Sequence, residues 1–263
     1  MEREDKRSVW LFRPRPNAQA RIRLFCFPCA GKGASLFRKW GHFLPDWVEV
    51  CGVQCPGREQ RLREAPFARL PRLVDAAAWA LRPFVDRPYV IFGHSVGALV
   101  GFEWARQLRR LGCLDPLHLV VAARRAPHRR EQREPIAHLP QADFIDAVRR
   151  RYDGIPAEIL QDPDLLDLLV PTLRADLQLL ENYVYEHEAP LASPITCFWG
   201  REDAETDWDD LEGWRQHSAA NFNVQMFPGG HFFVQSAETE LVGAVAGIVC
   251  GAVNGRVSGA EQA

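Results

Sequence analysis

The chain has 263 residues, 47% hydrophobic and 25% charged, which suffices for one large α/β domain with its own core. A formal net charge of −2 gives no general attraction to nucleic acid or to an anionic membrane. The charged residues 1–7 lack the apolar core of a signal peptide, and no uninterrupted apolar run approaches the roughly 18 residues of a bilayer span. The expected location is therefore the cytoplasm. Seven cysteines, an odd set scattered through strand-like segments, fit reduced and buried thiols better than a disulfide framework.

Short apolar runs rich in β-branched and aromatic residues recur at 22–27, 48–53, 89–92, 117–122, 195–199 and 223–227. Amphipathic helix-like stretches fall at 35–43, 70–84, 98–111 and 209–217, and an apolar, alanine-rich segment at 238–253 predicts a final helix. Strands alternating with helices predict a mostly parallel central sheet with helices on both faces. The alternation stops between 126 and 188, where only helix-like pieces occur, at 141–152, 156–160 and 163–185. The last carries Leu165, Leu166, Leu168, Leu169, Leu173, Leu177, Leu179 and Leu180, apolar on more than one face. Such an insertion reads as a lid over a site, the plainer alternative being a helical layer that extends the core. The expected organisation is a core of residues 1–125 and 189–263 with a helical lid insertion at 126–188.

Gly93-His94-Ser95-Val96-Gly97 follows the apolar run 89–92 and precedes the helix-like stretch 98–111. That strand–turn–helix setting makes G-x-S-x-G a nucleophile elbow rather than a chance match. A serine hydroxyl is a weak nucleophile, so it must sit at an exposed sharp turn beside a base. The elbow predicts an acid after a late strand and a histidine after the last one. Asp203 follows the run 195–199, and His231 lies in the glycine-loosened loop after 223–227. Asp207, Asp209 and Asp210 read instead as the start of the next helix. His94 fills the elbow's variable position, and His187 and His217 lack a strand-end placement. Ser95, Asp203 and His231 are thus the catalytic candidates. The expected oxyanion donors are the Val96 N–H and one from the loop 27–33, either Ala30 or Cys29.

Two weaker motifs lie in that same loop. Cys26-Phe-Pro-Cys29 matches C-x-x-C but does not open a helix as a redox motif does, and no second pair gives zinc spacing. Gly31-Lys32-Gly33 lacks the spacing of a phosphate-binding P-loop. No metal and no cofactor is expected.

With these residues assembled, the chain resembles the type II thioesterases that accompany polyketide and nonribosomal peptide synthetases. The resemblance spans about residues 21–236. It rests on Phe27-Pro-Cys-Ala-Gly31, Gln54-Cys-Pro-Gly-Arg-Glu59, the elbow, Arg124-Arg-Ala-Pro127, Pro171-Thr-Leu-Arg-Ala-Asp176, Gly200-Arg-Glu-Asp203 and Gly229-Gly-His231. The stretches 54–59 and 171–176 are far more specific than the elbow. Cys29 stands where the family usually has histidine, and Lys32 where it has a second glycine. The resemblance implies an α/β-hydrolase fold with a late helical lid and Ser95, Asp203 and His231 as the catalytic set. It further implies hydrolysis of acyl thioesters on the phosphopantetheine arm of acyl or peptidyl carrier proteins. The expected oligomeric state is a monomer. Carrier proteins present acidic docking surfaces, so Arg124, Arg125, Arg129, Arg130, Arg133 and Arg149 to Arg151 would aid encounter. A general carboxylesterase or an acyltransferase of the same fold remains the alternative.

Overall fold

Strands that are apolar at nearly every residue must be covered on both faces, and that requirement organises the molecule. The computed structural model describes residues 8–131, 133–152 and 161–260. Its seven-stranded sheet comprises β1 (Leu11–Phe12), β2 (Ile22–Phe27), β3 (Val48–Val53), β4 (Tyr89–His94), β5 (His118–Ala122), β6 (Ile195–Gly200) and β7 (Phe222–Phe227). The strands lie in the order β1-β3-β2-β4-β5-β6-β7. All neighbours are parallel except β1, which runs antiparallel to β3.

The α-helices among the described residues are α1 (Trp40–Phe43), α2 (Leu70–Leu81), α3 (Val96–Arg110), α4 (Gln141–Tyr152), α5 (Pro163–Glu181), α6 (Trp208–Glu212), α7 (Phe233–Ser236) and α8 (Glu238–Ala260). Successive strand residues point to opposite faces, and the core divides accordingly. Phe25, Phe27 and Ile91 pack with α2 and α3, whereas Leu24, Cys26 and Phe92 pack with Trp40 of α1 and Leu241, Val245 and Val249 of α8. Trp104 of α3 is fully buried against Phe25, Phe27 and Tyr89, at centroid distances of 5.0, 5.4 and 6.0 Å. Burying a large side chain of this kind contributes about 2–3 kcal/mol.

Several boundaries differ from those read in the sequence. Residues 35–43 form a 3₁₀ turn (Ala34–Phe37) and then α1, which ends where Leu44 turns extended before Pro45. The stretch 209–217 splits at Gly213 into α6 and a 3₁₀ helix (Gly213–His217). Asp207 caps α6, accepting the Asp210 N–H at 2.8 Å. The helix-like piece 156–160 lies outside the described residues. Between β5 and β6 the described residues hold α4, α5 and no strand. These two helices share a small core in which Ile136, Phe144, Val148, Val170 and Leu177 are buried. The Asp162 side chain caps α5, and Pro171 lies inside it. No helix among the described residues is long and apolar enough to cross a membrane.

Candidate active site

The winding direction reverses at β2, because β3 lies on one side of it and β4 on the other. The carboxyl ends of β2 and β4 meet at this switch point, where α/β sheets build their sites. Phe27 pairs with Gly93 in register, so the loop after β2 lies against the elbow after β4. The contact is too close for a side chain. A Cβ on Gly97 would stand 2.2 Å from the Phe27 carbonyl oxygen, and one on Gly93 2.4 Å from the Ala98 Cα. Ser95 itself takes φ 54° and ψ −117°, a conformation non-glycine residues rarely adopt. Its N–H donates to the Ala122 carbonyl at 2.8 Å, which ties the strained residue to β5.

The structure brings the three catalytic candidates together from the ends of three strands. His231 Nε2 lies 3.0 Å from Ser95 Oγ, and His231 Nδ1 lies 3.2 Å from each Asp203 carboxylate oxygen. Asp203 also accepts the Glu205 N–H at 2.9 Å and the Thr206 hydroxyl at 3.0 Å. Burial pushes the Asp203 carboxyl up, but the bond and charge of His231, with these other donors, outweigh it and hold the group below the usual range. An ionised acceptor at Nδ1 leaves Nε2 free to accept the serine proton.

His94 does something its place in the motif does not reveal. It is fully buried, and its Nε2 donates at 2.8 Å to the carbonyl oxygen of His231. That bond fixes the backbone that presents the His231 ring. Burial, reinforced by His231, lowers the His94 pKa to about 3, so the ring is neutral at pH 7. The unfolded chain takes up a proton near pH 6.5 that the folded chain refuses until about pH 3, so stability is complete above 6.5 and falls as the pH drops. At pH 5 the loss from His94 is roughly 2 kcal/mol. Urea unfolding at pH 7 and pH 5 should show that loss, and His94→Gln should reduce it. An equal pH dependence in the variant would refute the assignment.

The motifs 54–59 and 171–176 meet in one buried network. Arg58 donates to both Asp176 oxygens, at 2.8 and 3.0 Å, and to the Lys32 carbonyl at 3.1 Å. Asp176 Oδ2 also accepts the Gly31 N–H at 2.8 Å. Gln54 accepts the Ala34 N–H at 2.7 Å and donates to the Arg58 carbonyl at 2.9 Å, while the Thr172 hydroxyl bonds the Gly57 carbonyl. Helix α5 is thereby fastened to the loop beside Ser95. Residues 31 and 176 are 145 apart in sequence, so no local pattern announces their bond.

A cavity opens on Ser95 and His231, lined by Cys29 and Ala30 from the β2 loop and by Leu173, Leu177 and Leu180 of α5. Val96 begins α3 directly behind the serine. Cys26 and Cys29 are free and buried, and burial raises the Cys29 thiol to about 12, which leaves it no thiolate at neutral pH. The arginines expected on a docking surface divide. Arg149 is exposed beside Asp146, but Arg124 and Arg125 keep only 12% and 8% of their side chains exposed. Ala123, at φ 51°, turns the chain after β5, and the two arginines that follow line the cavity instead.

A family model described as "Thioesterase domain" matches residues 22–249. The chain belongs to the thioesterase family. The gramicidin S biosynthesis protein GrsT of Aneurinibacillus migulanus is 39% identical to this thioesterase over 233 residues, covering 89% of this chain and 91% of its own. RedJ, a thioesterase from the prodiginine pathway of Streptomyces coelicolor, is 35% identical with a TM-score of 0.81 over 92% of this chain and 94% of its own. BorB, the type II thioesterase of the borrelidin biosynthetic cluster, gives 29% and 0.83 over 91% and 97%. The thioesterase thus has the α/β-hydrolase fold and is an acyl thioesterase of the serine-hydrolase type.

Proposed function

We propose that this thioesterase removes acyl groups from the phosphopantetheine arm of carrier proteins in nonribosomal peptide or polyketide synthesis, clearing stalled or misprimed units. The carrying observation is the unbroken line Asp203–His231–Ser95 opening on a cavity, in a chain whose relatives are named from such pathways. Ser95 Oγ attacks the thioester carbonyl while His231 Nε2 takes its proton, and Asp203 stabilises the resulting imidazolium. The Val96 N–H and a second N–H hold the oxyanion. Asp176 occupies the Gly31 N–H and the Cys29 carbonyl occupies the Lys32 N–H, so the second donor falls to Ala30 or Cys29. The tetrahedral intermediate collapses and breaks the C–S bond. A thiolate whose thiol has a pKa of about 8.5 leaves with little acid assistance and takes up the proton held by His231, which restores the neutral imidazole. Water, deprotonated by His231, then attacks the Ser95 ester and releases the free acid.

Residues 126–188, with α4 and α5, act as a lid that shapes the acyl site, while residues 1–125 and 189–263 form the catalytic core. The enzyme works as a monomer, in the cytoplasm beside the assembly line it serves. The deciding experiment compares kcat/KM for an acyl-loaded carrier protein with that for a p-nitrophenyl ester of the same acyl group. The carrier thioester should be preferred. A preference for the aryl ester would favour a general carboxylesterase, and transfer of the acyl group to an acceptor instead of water would favour an acyltransferase.

A further inference from the structure

We propose that Arg124 forms a polar subsite in the acyl cavity for a neutral oxygen of the substrate's acyl chain. The enzyme then favours acyl groups bearing an oxo, hydroxyl or amide oxygen over saturated chains of equal length. This inference rests on the thioester-hydrolysis reading above and names its substrate class.

Arg124 belongs to the wall of the cavity that also holds Ser95 and His231. Strand β5 explains why. Ala122 pairs with His94 and accepts the Ser95 N–H, so the chain leaves the sheet beside the elbow. Ala123 then takes a left-handed conformation, a strain that persists only where the surroundings enforce it, and Arg124 follows directly. Arg124 Nε is buried and has no hydrogen-bond partner among the described residues. Glu131 stands 3.9 Å from Arg124 Nη1, an ion pair too long for a hydrogen bond.

Arg125 provides the contrast. It donates to the Arg130 and Glu205 carbonyls at 3.1 and 3.2 Å and pairs with Glu131 and Asp210. Burial pulls the Arg124 pKa down, opposed by Glu131, as expected of a cation with incomplete compensation. The acceptor it lacks is a neutral one. Arg124, Arg125 and Arg133 already face Glu131, Asp210 and Glu205 in paired contacts, so a further carboxylate would leave excess negative charge.

The opposite wall is aliphatic, made by Val148 of α4 and Leu173, Leu177 and Leu180 of α5. A saturated chain would cover these leucines but would also strip water from Arg124 without replacing its hydrogen bonds. A site built around such donors discriminates against the analogue that lacks the oxygen. An oxo, hydroxyl or amide oxygen accepts from the guanidinium while the rest of the chain lies on the leucines.

The test compares pantetheine thioesters of octanoate, 5-oxooctanoate and 7-oxooctanoate, whose oxo groups lie too far from the thioester to alter its reactivity. For the wild type, kcat/KM should favour at least one oxo chain over octanoyl by about tenfold. In R124M that ratio should fall to near one. R124K keeps the charge without the planar fork and should give an intermediate ratio, which also serves if R124M lacks the native circular dichroism. A wild-type ratio at or below one for both oxo chains, or a ratio unchanged in both variants, overturns the subsite. Failure to cleave octanoyl-pantetheine, or cleavage that survives Ser95→Ala, overturns the underlying reading instead.

Discussion

Ser95→Ala is expected to lower kcat by a factor on the order of 10⁶, since removing the nucleophile costs about as much as removing a whole triad. The residual rate would come from binding and the oxyanion donors alone. Because the backbone at residue 95 sits at φ 54°, alanine inherits the same strain, and the fold should persist. Intact-protein mass spectrometry with a slowly deacylated thioester should reveal an acyl adduct on the wild type and none on the variant. A fall in kcat of less than about tenfold, with the adduct retained, would remove Ser95 from the nucleophile's role.

The second large effect belongs to Asp176. Asp176→Ala strands the Arg58 guanidinium, whose side chain is only 9% exposed, and frees the Gly31 N–H in the loop beside the serine. Leaving one member of a buried pair uncompensated costs about 3–5 kcal/mol, readable by urea unfolding. Activity should fall separately, by up to about 10²–10³ if one oxyanion donor is displaced. The double variant Arg58→Met/Asp176→Leu separates the two effects. Apolar replacement of a buried pair is often neutral for stability, so the unfolding midpoint should recover. The Gly31 N–H would still lack its acceptor, so kcat should remain low. Recovery of both would show that the pair only holds the fold.

The strands were legible because their chemistry is local. The apolar runs 48–53 and 195–199 stand between turn residues and became the strands Val48–Val53 and Ile195–Gly200 inside the sheet. Ser95, Asp203 and His231 could be nominated because a strand end carries meaning in this topology, and in the structure the His231 ring lies 3.0 Å from Ser95 Oγ on one side and 3.2 Å from the Asp203 carboxylate on the other. Elements too short to have a period were not legible. Leu11–Phe12 and Phe233–Ser236 span less than two helical turns or strand repeats. The inward turn of Arg124 was equally hidden, because it depends on a left-handed alanine that no propensity favours. Least legible of all was Arg58–Asp176, since a pairing across 118 residues is decided by how helix α5 docks. Both halves were visible as specific motifs, but their union was not.

That union limits how the acyl site can be redesigned. Helix α5 supplies the leucines of the cavity wall, so exchanging it with a relative's helix is the obvious route to a different chain-length preference. Yet the same helix carries Thr172 and Asp176, which hold Gly57, Arg58 and Gly31 in place. A graft that changes the leucines and omits those two polar residues would retune the pocket and unbrace the reaction centre at once. The exchangeable unit is therefore the helix together with residues 54–59, transplanted as one piece.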